Sequence, residues 1–165
     1  MHRLKHIAIV FLVLLSCAGC DQTTKVIAKE YLPHNEFMSF VGDTVRLQCI
    51  ENKGGFLSMG SSLPEKTREL IFTVGSGAIV VLMLCHLLVA SSLTPMITIA
   101  LSLICSGGFG NLIDRILYDG HVIDFLNVGI GGLRTGIFNA ADVAIMAGAL
   151  LILLSGIKHG RNDGF

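Results

Sequence analysis

The reading of this chain turns on the stretch from Gly107 to Asp142. It begins Gly107-Gly108-Phe109-Gly110-Asn111-Leu112-Ile113-Asp114-Arg115, passes through Val122-Ile123-Asp124-Phe125 and ends Phe138-Asn139-Ala140-Ala141-Asp142. Four Asp, two Arg and three Asn fall within it, close to apolar runs on both sides. A charged side chain at the centre of a bilayer costs about 2.5–3.5 kcal/mol on insertion scales. A chain keeps such groups near apolar spans where they are paired, solvated or used in chemistry. Asp124 and Asp142 are the candidates for chemistry, each close to a Phe or an Asn at the edge of an apolar segment. Two carboxylates that share one proton can activate a water against a peptide bond without metal or covalent nucleophile.

Composition agrees with a membrane setting. Of 165 residues, 52% are hydrophobic and 15% charged, and the mean hydropathy is +0.72. Soluble domains carry about 25% charged residues. The length fits one domain over residues 1–165, and the hydropathy makes it an integral-membrane one. The formal net charge is zero, so no nucleic-acid partner is expected. Cys17, Cys20, Cys49, Cys85 and Cys105 form no framework, and most read as small apolar packing residues.

Working outward, four spans are expected, at about 7–20, 70–88, 94–113 and 137–157. The first has a rival reading. Arg3 and Lys5 precede an apolar run that ends in Ala18-Gly19-Cys20, the layout of a cleaved leader and of a lipoprotein processing site. The three further apolar spans argue for a retained helix instead. Asp21 and Lys25 follow at i, i+4, so a continuing helix puts them on one face. An exposed pair of that kind contributes a few tenths of a kcal/mol, which makes a helix-end surface pair the plain reading. The alternative is a pair that shapes a site.

Residues 31–68 are polar. Phe37–Val41 and Val45–Ile50 are β-prone around the Gly42-Asp43 turn signal, and Val45, Leu47 and Cys49 alternate with Arg46 and Gln48 as in a half-buried strand. Glu51-Asn52-Lys53-Gly54-Gly55-Phe56 reads as a turn, or as a loop whose Asn52 amide holds a substrate backbone. Ser62 is expected to cap a helix, with Pro64 in its first turn and Glu65 completing a capping box. The Ala90-Ser91-Ser92 link forces an antiparallel return, and Pro95 starts the next span. Asn111 and Arg115 share a face at i, i+4. After Tyr118-Asp119-Gly120, residues 121–128 are extended and the glycine-rich 129–136 flexible. Asn139 and Asp142, three apart, share a face in the first turns of the fourth span, where an Asp also suits the helix dipole.

Arg3 and Lys5 before the first span, with Lys158 and Arg161 after the last, place both termini in the cytoplasm. Four antiparallel spans then bring Asp21, Asn52, Asn111, Arg115, Asp124, Asn139 and Asp142 to one outer face. The six His are scattered and no His-Glu-x-x-His motif occurs, so no metal site and no cofactor are expected.

With these residues in order, the chain resembles the bacterial lipoprotein signal peptidases, signal peptidase II. Five family boxes appear in sequence: Asp21-Gln22-Thr23-Thr24-Lys25, Asn52-Lys53-Gly54-Gly55-Phe56, Gly107 to Arg115, Val122 to Phe125, and Phe138 to Asp142. Only the second departs, since the family usually has Ala where Gly55 stands. The resemblance implies an all-α membrane fold of four transmembrane helices with a small outer-face β-sheet cradle and a short amphipathic outer-face helix. It implies an aspartic endopeptidase of the inner membrane, with its active site at the periplasmic face. Such an enzyme removes the signal peptide from prolipoproteins on the amino side of a diacylglyceryl-modified cysteine. Asp124 and Asp142 match the catalytic pair. Asp21, Lys25, Asn52, Gly54, Gly108, Asn111, Asp114, Arg115 and Asn139 are expected to bind substrate or support the pair. The implied partners are lipid-modified prolipoproteins and the bilayer, and a monomer is expected. The competing class is a small four-span binding or transport protein without hydrolytic activity.

Overall fold

The structure is a computed structural model that describes residues 2–34, 36–90 and 92–160. Ser91 of the link and Arg161 lie outside the described residues, as do the side chains of Lys158 and His159. The helices are α1 (His2–Tyr31), α2 (Glu65–Arg68), α3 (Ser76–Val89), α4 (Pro95–Leu117) and α5 (Ala140–Gly160). A π-helical segment, Glu69–Gly75, joins α2 to α3 without a break, so Glu65–Val89 is one apolar rod. Ser76 Oγ donates to the Phe72 carbonyl inside that widened stretch. Among the described residues, four helices are long and apolar enough to cross a membrane.

Their surfaces say what solvent they suit. Leu12, Leu15, Leu82, Val89, Leu153 and Ile157 are all exposed along the lengths of these helices. That pattern is stable in lipid, where an outward Leu costs nothing. α4 is the central helix, packed against α1, α3 and α5, and its apolar window is 44% buried against 11–17% for the others. Val10, Val80, Leu87 and Cys105 form the core where α1, α3 and α4 meet. Small residues set the spacing. A Cβ on Gly107 would lie 2.3 Å from the Ala141 carbonyl oxygen, and one on Gly110 would lie 2.5 Å from Asp21 Oδ2. Glycine at these two positions lets α5 and α1 approach the α4 backbone.

The boundaries differ from expectation in instructive ways. α1 does not stop at Cys20 but runs on to Tyr31, carrying Asp21 and Lys25 inside a continuous helix. Ser62 caps nothing: Pro64 is the N-cap residue of α2 and no side chain caps it. Thr94 does cap α4, accepting from the Ile97 N–H at 3.3 Å with Pro95 next to it. A short amphipathic helix is expected beside the sheet; the segment after β2 makes a single 3-10 turn, Phe56–Ser58, with Leu57 at φ 54°.

β1 (Met38–Phe40), β2 (Val45–Asn52), β3 (Val122–Ile130) and β4 (Leu133–Arg134) make one antiparallel sheet in that order. The stretch 129–136, expected to be flexible, closes as the β3–β4 hairpin, with Gly129 opposite Arg134. At the β1–β2 turn Arg46 and Arg134 converge on Asp43, at 2.6 and 3.6 Å. The functional detail lies in the β2–β3 register. Leu47 faces Leu126, but Ile50 faces Asp124, so one extra residue is accommodated in β2. The N–H of Cys49, inside that bulge, turns away to the Pro33 carbonyl at 3.0 Å. A one-residue slip moves every later side chain to the other face of a strand. Here it puts Asn52 on the same face as Asp124.

Candidate active site

Twelve polar or charged residues are buried among the described residues, and nine of them sit at the sheet end of the helices: Asp21, Lys25, Asn52, Asn111, Asp114, Arg115, Asp124, Asn139 and Asp142. Burial of so many polar groups is tolerable only with their hydrogen bonds made.

The start of α5 supplies the first part. Asn139 immediately precedes α5. Its Oδ1 accepts from the Asp142 N–H at 2.9 Å, and Asp142 Oδ2 accepts from the Asn139 N–H at 3.3 Å. This is a reciprocal capping box built from Asn and Asp. The helix-dipole reading of Asp142 and its burial in the cluster are compatible, because the positive end of α5 opens inside the cluster. The next free donor of that turn, the Ala141 N–H, goes to Asp21 Oδ1 at 2.8 Å.

The sheet supplies the second part. Asp124 stands on β3, and Asn52 on β2 is its diagonal neighbour on the same face. Asn52 Nδ2 donates to Asp124 Oδ2 at 2.8 Å, and Asn139 Nδ2 donates to Asp124 Oδ1 at 2.7 Å. Asn139 thus touches both carboxyl groups. Asn111 on α4 completes the link: Nδ2 donates to Asp142 Oδ1 at 3.0 Å and Oδ1 accepts from Asn139 Nδ2 at 3.1 Å. Burial pushes the Asp124 carboxyl up to about 7; hydrogen bonds from Asn52 and Asn139 oppose the rise and the neighbouring Asp142 adds to it.

Behind this layer lies a cationic one. Lys25 Nζ meets Asp21 Oδ2 at 2.8 Å, Asp114 Oδ2 at 2.9 Å and Asn111 Oδ1 at 3.0 Å, using its three donors. Lys25 and Asp21 are 2% and 1% exposed, which overturns the surface-pair reading. Asp114 also accepts the Ile123 N–H at 2.9 Å, fixing the start of β3 one residue before Asp124.

Arg115 Nη2 donates to the Gly54 carbonyl at 3.0 Å, and the Gly54 N–H donates to Asn52 Oδ1 at 2.8 Å. The Arg115 guanidinium also faces the Phe72 ring at 5.9 Å. Its Nε is buried with no hydrogen-bond partner among the described residues. Phe72 bears on the departure at position 55, since a Cβ on Gly55 would stand 2.9 Å from that ring.

Of the residues expected at the site, only Gly108 stands apart. A Cβ there would meet Val80 Cγ2 at 2.8 Å, so its place is in the α3–α4 packing. One participant was missed. Gln22 Nε2 donates to Asp114 Oδ1 at 2.9 Å and to the Gly110 carbonyl at 3.1 Å. Its position inside the Asp21–Lys25 box was the available signal. His121, the one histidine close to the cluster in sequence, spends Nδ1 on the Tyr118 carbonyl of its own turn.

Comparison with known proteins adds an independent line. Residues 11–158 match the family described as Signal peptidase (SPase) II. The chain is 31% identical over 169 residues to the lipoprotein signal peptidase of Treponema denticola, covering 98% of each chain. It is 34% identical over 152 residues to that of Borrelia hermsii, covering 89% of this chain and 87% of the relative. A solved bacterial membrane enzyme structure superposes with a TM-score of 0.76 at 25% identity, covering 96% of this chain and 90% of that one.

Proposed function

The chain belongs to the signal peptidase II family, and from that premise we infer that it removes signal peptides from prolipoproteins as an aspartic endopeptidase. The observation that carries the catalytic assignment is Asn139, whose side chain bonds Asp124 and whose backbone and side chain bond Asp142. Two buried carboxyl groups held by one residue, Asp124 by its side-chain amide and Asp142 by its main-chain N–H, favour a single shared proton, because like charges so placed resist joint ionisation.

The reaction follows from that state. The attacking water is the one the two carboxyl groups activate between them. The ionised carboxylate takes a proton from it as oxygen attacks the scissile carbonyl carbon. The protonated carboxyl gives its proton to the carbonyl oxygen, producing a tetrahedral diol. Collapse of the diol returns a proton to the leaving nitrogen and breaks the C–N bond. Burial raises the proton affinity of Asp124 toward neutrality, which suits the acid role there. Asn52 holds the Asp124 carboxyl and Asn111 holds that of Asp142. Lys25 offsets Asp21 and Asp114, so the charges supporting the scaffold do not burden the pair. The Nε of Arg115, without a partner among the described residues, is a donor for a substrate carbonyl.

The substrate bond is the one on the amino side of a diacylglyceryl-modified cysteine. The enzyme works as a monomer in the bacterial inner membrane, with both termini cytoplasmic and the carboxylate site at the periplasmic face. Arg3 and Lys5 at one end of the bundle support that orientation, and assembly of the whole cluster from one chain supports the monomer. The experiment is incubation of the purified protein with a lipid-modified prolipoprotein. The shortened product must form with wild type and fail to form with Asp124→Asn and Asp142→Asn.

A further inference from the structure

The end of the bundle remote from the carboxylates has its own chemistry. Residues 1–20 and 70–113 contain no Asp or Glu, while Arg3, Lys5 and His6 stand in the first turns of α1. Arg3 and Lys5 are exposed, and among the described residues neither has an ion-pair partner. Beside them a cleft of about 800 Å³ opens between the start of α1, the end of α3 and the start of α4. Ile9, Val89 and Leu93 line it together with the three basic residues.

His6 is held in place at this cleft. Its Nε2 bonds the Leu87 carbonyl at 2.7 Å and its Nδ1 meets Thr98 Oγ1 at 3.3 Å. A carbonyl only accepts, so Nε2 carries a proton and the ring clasps α1 to α3 and α4. The cleft is therefore apolar in its wall and cationic beside it, with no counter-ion from the described chain.

We propose that this cleft binds an anionic phospholipid of the surrounding bilayer. The phosphate sits against Arg3 and Lys5, which His6 positions by holding the start of α1 in place, and acyl chain lies along Ile9, Val89 and Leu93. Basic pockets between membrane helices suit such headgroups, and anionic lipid gains from each nearby cation. A zwitterionic headgroup brings its own ammonium toward Arg3 and Lys5 and is disfavoured by like charge. The lipid joins the ends of three helices at the point where His6 already clasps them.

The test is native mass spectrometry of the delipidated full chain in detergent. Phosphatidylglycerol and phosphatidylethanolamine with identical acyl chains are titrated separately. Wild type is expected to retain phosphatidylglycerol in preference. Arg3→Ala/Lys5→Ala is expected to lose roughly 30-fold in that binding, from about one charge-lipid increment per residue. Lys66→Ala, an exposed cation at the sheet end, is expected to bind as wild type does. Circular dichroism checks that each variant keeps its helices. Equal retention of both lipids by wild type overturns the proposal, as does undiminished binding by the double variant or an equal loss in Lys66→Ala. Binding is read without substrate, so the result is independent of the peptidase reading.

Discussion

Lys25 Nζ stands 2.9 Å from Asp114 Oδ2, joining α1 to the last turns of α4 in a setting where Asp114 is fully buried. The same ammonium is 2.8 Å from Asp21 Oδ2. One cation thus holds two carboxylates that in turn fix the Ile123 and Ala141 N–H groups, one beside each proposed catalytic residue.

Removing that cation should be costly. Lys25→Ala leaves two buried carboxylates uncompensated, and breaking a buried pair from one side costs about 3–5 kcal/mol. Thermal unfolding in detergent should show a large fall in Tm. The triple variant Asp21→Asn/Lys25→Met/Asp114→Asn should recover much of it, because no charge is then left unpaired. If Lys25→Ala unfolds like wild type, Lys25 does not have the structural weight assigned to it.

The carboxylate pair is tested by isosteric change. Asp142→Asn keeps an oxygen to accept the Asn139 N–H, and Asp124→Asn keeps one for Asn52 or Asn139. Both variants should stay folded while single-turnover cleavage drops by about 10²–10⁴-fold or more. Near-normal turnover in either purified variant sinks the dyad.

The pH response follows from Asp124. Its carboxyl titrates at about 7 when folded, above the ~3.9 of an unfolded Asp. The folded state holds this proton more tightly. The stability due to this group is therefore complete below pH ~4 and is lost as pH rises through about 7. Turnover, which needs one proton on the pair, should decline over the same upper window. A denaturation series from pH 4 to 8 should show a downward trend in wild type that is weaker in Asp124→Asn. A trend of opposite sign attributable to Asp124 would contradict its burial.

How far these features could be read from sequence depended on the range of the interaction. The four spans and the convergence of seven polar residues followed from hydropathy and from charges placed beside it. Asp21 and Lys25 were visible as an i, i+4 pair, but their burial depended on Asp114, 89 residues beyond Lys25, and on glycine at 110. The placement of Asn52 was beyond reach for a different reason. Val45, Leu47 and Cys49 alternate cleanly, and continuing that alternation puts Asn52 on the wrong face. The bulge between Leu47 and Ile50 reverses it, and a bulge leaves no mark in periodicity. Ser62 misled because a sequence cap signal competed with Pro64, which itself entered the helix boundary.

Gly110 offers a packing test. A Cβ there meets Asp21 Oδ2 at 2.5 Å, and Asp21 is clamped by Lys25 and Ala141. Gly110→Ala should cost about 1–3 kcal/mol through overpacking and should lower turnover by disturbing the start of α5. Gly19→Ala, on α1 with nothing within 4 Å, is the control. It should be neutral or gain up to ~1 kcal/mol from helix propensity. Matching effects at the two positions would remove the close-approach argument.

The last prediction concerns how a lipidated substrate is used. The helices around the site expose Leu, Ile and Val along their lengths, so an acyl chain in the bilayer can lie against them without leaving lipid. Transfer from water yields about 0.8 kcal/mol per CH₂, but a chain already in the bilayer gains little of that. The modification should therefore act by holding the scissile bond near Asp124 and Asp142, which is an effect on orientation. Lipidated and unlipidated precursors, compared in the same micelles at equal micellar concentration, should differ mainly in the rate of the bound complex. The unlipidated precursor should be cut far more slowly even when saturating. Equal saturated rates would mean that the lipid serves only to concentrate the substrate, and the orienting role would have to be given up.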